Sequence, residues 1–236
     1  MAADTRDMAA FYATRLGRMT ADLLRRKLQA LWPNAAGQSL LGLGHTGPYL
    51  PLWHATARCV SVSPRAMGCA PWPLGHSQLA CLAEEDALPF PDLSFDRILL
   101  VHGLEQAESA RRALREVWRV LKDDGQLIVV APNRRGIWAY AESTPFGHGE
   151  PYSPGQLTRL LEGAFFHVHA RHTAVFAPPL DWYPSLRLFG LFEMAGQALA
   201  PRFAGLSIAE ASKDLHGLVP ASPRTSRRKV LLDAGG

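Results

Sequence analysis

The run from Phe95 to Ala131 constrains the fold more than any other part of the chain. Phe95 to His102 is a short segment apolar on both of its alternating faces. A strand buried on both sides belongs to a parallel sheet covered by helices. Gln106 to Lys122 follows, with Ala110, Leu114, Val117 and Leu121 on one helical face and Arg111, Arg112, Arg115, Glu116 and Arg119 on the other. Asp123-Asp124-Gly125 closes that helix, and Gln126 to Ala131 is a second buried strand. Strand, helix and strand at this spacing form the repeating unit of an α/β sheet.

The same alternation extends in both directions. Asp7 to Leu31 carries leucines at helical spacing and stops at Trp32-Pro33-Asn34. Ser39 to Leu43 reads as a strand, Gly44-His45-Thr46-Gly47 as a glycine turn, and a helix is expected from Pro48. Further strands are expected at 57–62, 79–83, 165–173 and 206–211, and helices at 154–161 and 186–199. This divides the chain into an N-terminal helical segment, 1–36, and an α/β domain, 37–217, ending in a helix and a last strand at about 182–212. A basic tail, 218–236, is expected to be disordered.

Composition excludes several classes. Over 236 residues, 47% are hydrophobic and the net charge is +4, which rules out a disordered chain. The basic residues, 21 Arg and 4 Lys, are spread along the chain, so a nucleic-acid partner is not expected. Cys59, Cys69 and Cys81 form no CxxC pair and read as reduced thiols of a cytoplasmic protein. No apolar run is long enough to span a bilayer, and the N-terminus lacks a secretory pattern. His167, His169 and His172 have no evident carboxylate or cysteine partner, so no metal site is expected. The apolar segment 182–203 reads as a core or interface helix, for a protein partner or a homodimer, in preference to a membrane-surface element.

Several motifs occur in a fixed order. Leu88-Pro89-Phe90-Pro91-Asp92, Ser94-Phe95-Asp96, Leu104-Glu105-Gln106 and Leu114-Arg115-Glu116-Val117-Trp118-Arg119-Val120-Leu121-Lys122 precede Gly125-Gln126-Leu127. This series resembles class I S-adenosylmethionine-dependent methyltransferases of the small-molecule type, over roughly residues 38–175. With Pro132-Asn133-Arg134-Arg135-Gly136 and Thr144 to Gly149 it resembles a proteobacterial branch of them.

The resemblance implies a Rossmann-like class I sheet of seven mostly parallel strands, with helices on both faces, and S-adenosylmethionine as cofactor. It assigns the methionine end of the cofactor to Gly42, Leu43, Gly44, His45, Thr46 and Gly47, and the ribose to Ser63. It assigns adenine to Glu84, Glu85, Asp86 and Ala87, and the methyl group to His102 and Gly103. The acceptor it implies is a small molecule, with His102 and His148 as candidates for polarising it or removing its proton.

Two positions depart from the family pattern. The acid usual two residues before the first turn glycine is replaced by Gly42, and the acid usual at the end of the second strand by Ser63. Two lost charged hydrogen bonds would cost about 3–6 kcal/mol of cofactor binding. The alternative expectation is therefore a catalytically eroded scaffold or regulatory partner with weak or no cofactor binding.

Overall fold

A computed structural model describes residues 5–53, 55–67, 79–141, 144–180 and 186–215. Its centre is a seven-stranded sheet in the order β3-β2-β1-β4-β5-β7-β6. The strands are β1 (Ser39–Gly44), β2 (Arg58–Pro64), β3 (Ala80–Ala83), β4 (Phe95–Val101), β5 (Leu121–Pro132), β6 (Phe166–Ala174) and β7 (Leu206–Lys213). The first five pair in parallel, and β7 runs antiparallel between β5 and β6. The Rossmann-like sheet is thus present, with its reversed strand one place in from the edge.

The central strands are buried because both faces are covered. On one face α1 (Thr5–Ala13) and α2 (Arg15–Leu31) pack Met8, Phe11, Tyr12, Leu24 and Leu28 against Leu40, Leu99 and Ile128. On the other, α3 (Ala110–Val120) and α4 (Pro154–Glu162) pack Leu114, Val117, Leu157 and Leu161 against Leu41, Ile98 and Val129. Each fully buried Leu contributes about 1.5–3 kcal/mol. The last helix, α5 (Leu186–Leu199), meets α2 and β6.

Local signals explain the helix ends. Thr14 breaks α1 from α2, and its hydroxyl accepts the Gly17 N–H at 3.0 Å. Ser153 and Gln156 form a reciprocal capping box at the start of α4.

Two expectations are corrected. No α-helix follows the glycine turn; Leu50–Trp53 is a single 3₁₀ turn. Pro51 lacks the N–H that a helix needs there, and Leu52 N–H donates three residues back to the Tyr49 carbonyl at 3.0 Å. The helix expected over 106–122 is shorter, because Leu121 is already extended and pairs with Phe95. Lys122 and Asp123 are strand residues whose side chains reach Asp96 at 2.7 Å and Lys213 at 3.2 Å. The tail expected to be disordered, and Cys69, lie outside the described residues.

Candidate active site

The ends of β1 and β4 lie side by side, with Gly44 opposite Val101. Gly44 has φ +81°, and a Cβ there would sit 2.3 Å from the Val101 carbonyl oxygen. Only glycine permits this approach. The His45 N–H then donates to that carbonyl at 2.8 Å. The next residue on β4's side, His102, also has positive φ, at 55°. A non-glycine residue held there is strained, which is a feature that collects at functional sites.

His102 is fully buried. Its Nδ1 lies 2.8 Å from Oε1 of Glu105, and its Nε2 lies 2.9 Å from the hydroxyl of Tyr12 on α1. Phe146 packs edge-on against its ring, with centroids 5.0 Å apart. Tyr12 stacks on His45 at 4.6 Å. Burial, with Tyr49 and Glu105 nearby, holds the Tyr12 phenol well above its usual pKa, so it keeps its proton. The protonated phenol can donate to Nε2, an arrangement in which the imidazole carries its proton on Nδ1 and donates it to Glu105. Burial, and then His102, lowers His45 to about 3, so that ring is neutral. Among the described residues, Nε2 of His45 and Oε2 of Glu105 have no hydrogen-bond partner.

The loop carrying His148 closes against this cluster. Pro145 and Phe146 are buried in a 3₁₀ turn (Pro145–Gly147), and the Glu150 N–H donates to the Glu105 carbonyl at 2.9 Å. His148 is half-buried within that loop. Beyond it lies a cleft of about 540 Å³, lined by Arg134, Tyr140, Glu150, Tyr152 and Gln156. Burial, then Glu150 and Glu105, raises Tyr152 to about 12. Asn133 is structural: its amide donates to the carbonyls of Arg202 and Ala204, at 3.1 and 2.8 Å.

The sequence-derived cofactor residues separate into two groups. Leu43, Gly44, Glu85 and Gly103 line a small apolar recess of about 20 Å³ at the ends of the first four strands. Val62 and Pro64 line it too, and strand alternation turns Ser63, between them, to the opposite face. Glu84 pairs with Arg65 at 2.9 Å, Asp86 meets Arg112 at 3.6 Å, and Glu85 accepts the Glu108 N–H at 3.0 Å. Ala87 closes that turn through its N–H to the Glu84 carbonyl at 3.2 Å. Gly42 has no room for an acid, since a Cβ there would meet the Thr46 hydroxyl at 2.4 Å. Thr46 is buried, and its N–H returns to the Gly44 carbonyl at 3.0 Å. Gly47 continues the turn toward Tyr49.

Sequence reasoning missed Tyr12. Its available signal was the Phe11-Tyr12 pair at the end of an amphipathic helix.

A seven-stranded sheet of this order, with a glycine crossing at the ends of β1 and β4, defines the class I methyltransferase fold. The comparisons agree. Residues 41–129 match the family model described as methyltransferase domain. The ubiquinone/menaquinone biosynthesis C-methyltransferase of Citrobacter koseri is 46% identical over 101 residues, 43% of this chain and 34% of the relative. The match thus spans about a third of that curated relative's length. A methyltransferase structure from Thermotoga maritima has TM-score 0.65 at 19% identity, covering 88% of this chain and 95% of its own. One from Aquifex aeolicus has TM-score 0.55 at 16% identity, covering 88% and 96%. Residues 41–129 thus match a methyltransferase domain, on a fold shared with S-adenosylmethionine-dependent methyltransferases.

The residues fit the adenosyl end of S-adenosylmethionine better than its amino-acid end. A Cβ at Gly103 would meet Leu100 and Gly44 at 3.5 and 3.6 Å, ordinary contact distances, so the fold itself does not demand glycine at this edge of the recess. Glu85 brings an acid to its rim. At the other end, Tyr12 stacked on His45 fills the space beside the glycine turn. The recess holds about one water, so accommodating an adenosyl group there requires its walls to move apart.

Proposed function

We propose that this protein is an enzyme that transfers a methyl group from S-adenosylmethionine to a small-molecule acceptor, in the cytoplasm. The observation that carries the reading is the buried Glu105–His102 pair at the end of β4, beside the recess containing Gly44 and Gly103. When bound, the cofactor supplies an electrophilic methyl group. His102 is suited to take a proton from the acceptor through Nε2 once the Tyr12 hydroxyl withdraws. Glu105 holds the opposite ring edge and balances the charge that develops. The cleft by Tyr152 and Arg134 is sized for a small acceptor, and His148 lies on the loop between that cleft and His102. In this reading Leu43, Gly44, Glu85 and Gly103 face the cofactor directly. Gly42, His45, Thr46, Gly47, Ser63, Glu84, Asp86 and Ala87 shape its surroundings.

One observation favours a second reading, an eroded scaffold: the chain's own Tyr12 stacks on His45 of the glycine turn, which the enzyme reading assigns to the cofactor's amino-acid end. Calorimetric titration with S-adenosylmethionine separates the two. The enzyme reading expects saturable binding by the wild type, and a melting temperature raised by roughly 5–10 °C at about 100 times Kd. Gly103→Ala should melt normally and lose that binding. No heat and no shift at millimolar ligand would establish the scaffold reading.

A further inference from the structure

A second exposed apolar surface lies on α5 and the turn that follows it. Helix α5 buries Phe189 and turns Glu193 inward, where its carboxylate accepts the N–H groups of Val175 and Phe176 at 3.1 and 2.7 Å. Its outward side is apolar as well: Leu191 is 55% exposed, Met194 64% and Leu199 84%. Phe203, just beyond the helix, is 57% exposed. A helix apolar all round is ordinarily buried, and exposed patches of this kind mark contact surfaces.

The charges around this face are mostly basic. Between α5 and α2 runs an open groove of about 750 Å³, with Leu23 and Ala30 on its α2 side. Arg26, Lys27 and Arg187 stand along it, and among the described residues the acid lining it is Glu193, whose carboxylate is turned inward onto the Val175 and Phe176 N–H groups. Arg202 extends the basic margin past the C-terminal end of α5. A cationic border around protruding Leu, Met and Phe complements an anionic amphiphilic surface. It does not complement a second copy of the chain. A two-fold contact through α5 sets Arg187 against Arg202 when the helices run antiparallel, and Arg187 against Arg187 when they run parallel.

We propose that α5 and the adjoining edge of α2 dock the protein on an anionic phospholipid bilayer. Leu191, Met194, Leu199 and Phe203 enter the acyl boundary, and Arg26, Lys27, Arg187 and Arg202 meet the phosphates. The helix lies in the interface and does not cross it: no described helix is long and apolar enough to span a membrane. The inference is independent of the reading of the strand-end site.

The test is co-sedimentation of the full chain with vesicles of phosphatidylglycerol and phosphatidylcholine in equal parts, beside pure phosphatidylcholine vesicles. The wild type should pellet with the anionic vesicles, less so as salt rises, and stay in the supernatant with neutral ones. Combined Leu191→Ser, Met194→Ser and Leu199→Ser should cut partitioning at least about ten-fold with unchanged melting, since these side chains project outward. Combined Arg26→Glu and Arg187→Glu should do the same. Failure to bind anionic vesicles, or equal binding by all three proteins, overturns the proposal. So does a dimer in light scattering that the serine variants abolish, which would assign the face to a second copy.

Discussion

The hydroxyl of Tyr12 lies 2.9 Å from Nε2 of His102, a residue 90 positions later in the chain. This bond ties the N-terminal helix to the end of the fourth strand. It also occupies the ring nitrogen to which the proposed mechanism assigns the acceptor's proton. Tyr12→Phe should leave Nε2 buried without a partner and cost about 1–3 kcal/mol. Urea unfolding measures that loss. An unchanged midpoint would mean that the bond contributes nothing to the folded state.

His45 makes stability acid-sensitive. Its folded-state pKa, about 3, lies below the ordinary value of 6.5, so the unfolded chain takes up the proton first. Its neutral form is fully compatible with the fold above pH 6.5, and stability falls as pH drops from 6.5 toward 3. At pH 5 the cost is about 2 kcal/mol, or roughly 4–8 °C in melting temperature. His45→Phe keeps a ring against Tyr12 and should reduce the drop in melting temperature between pH 7 and pH 5 by about that amount. An equal drop in both proteins would contradict this assignment.

Gly44 and Gly103 should respond oppositely to alanine. Gly44→Ala forces a Cβ to within 2.3 Å of a backbone carbonyl at φ +81°, and should cost about 3 kcal/mol or more. Gly103→Ala meets only ordinary contacts, so its stability should stay within about 1 kcal/mol of wild type. Differential scanning calorimetry of the two variants checks the contrast.

Arg119 joins two of the motifs that carry the family resemblance. It donates to Glu116 and Asp92, and to the carbonyls of Leu88 and Phe90, while Glu116 accepts the Leu88 N–H at 2.9 Å. The turn beside the recess therefore hangs from α3. Arg119→Lys loses the planar fork and should cost about 1–2 kcal/mol. Amide exchange at Leu88 should accelerate more than exchange in β4. Uniform exchange across both segments would count against this anchoring role.

The alternation of buried strands with amphipathic helices was legible in the chain from residue 39 onward, because periodicity is local and each element carries its own pattern. The Leu88–Asp92 and Leu114–Lys122 motifs were legible for a related reason: they encode the Arg119 clasp, whose partners are few and specific. The helix expected from Pro48 failed where Pro51 removed a donor. The early start of β5 was hidden because Lys122 and Asp123, polar in sequence, are satisfied across the sheet by Asp96 and Lys213.

The candidate site divides along the same line. His102 and the glycine turn follow directly from strand ends, which sequence locates well. That Glu105 turns inward onto His102, and that Tyr12 reaches the other side of the ring, depends on packing between α1, β4 and the Phe146 loop. By itself the sequence determined the buried strands, the helices α3 and α4 and the residues at the strand tips, through hydrophobic period and turn chemistry. Only the tertiary structure decided which side chains meet there and which face of α5 stays uncovered, because contacts across the chain arise from packing that no local pattern encodes.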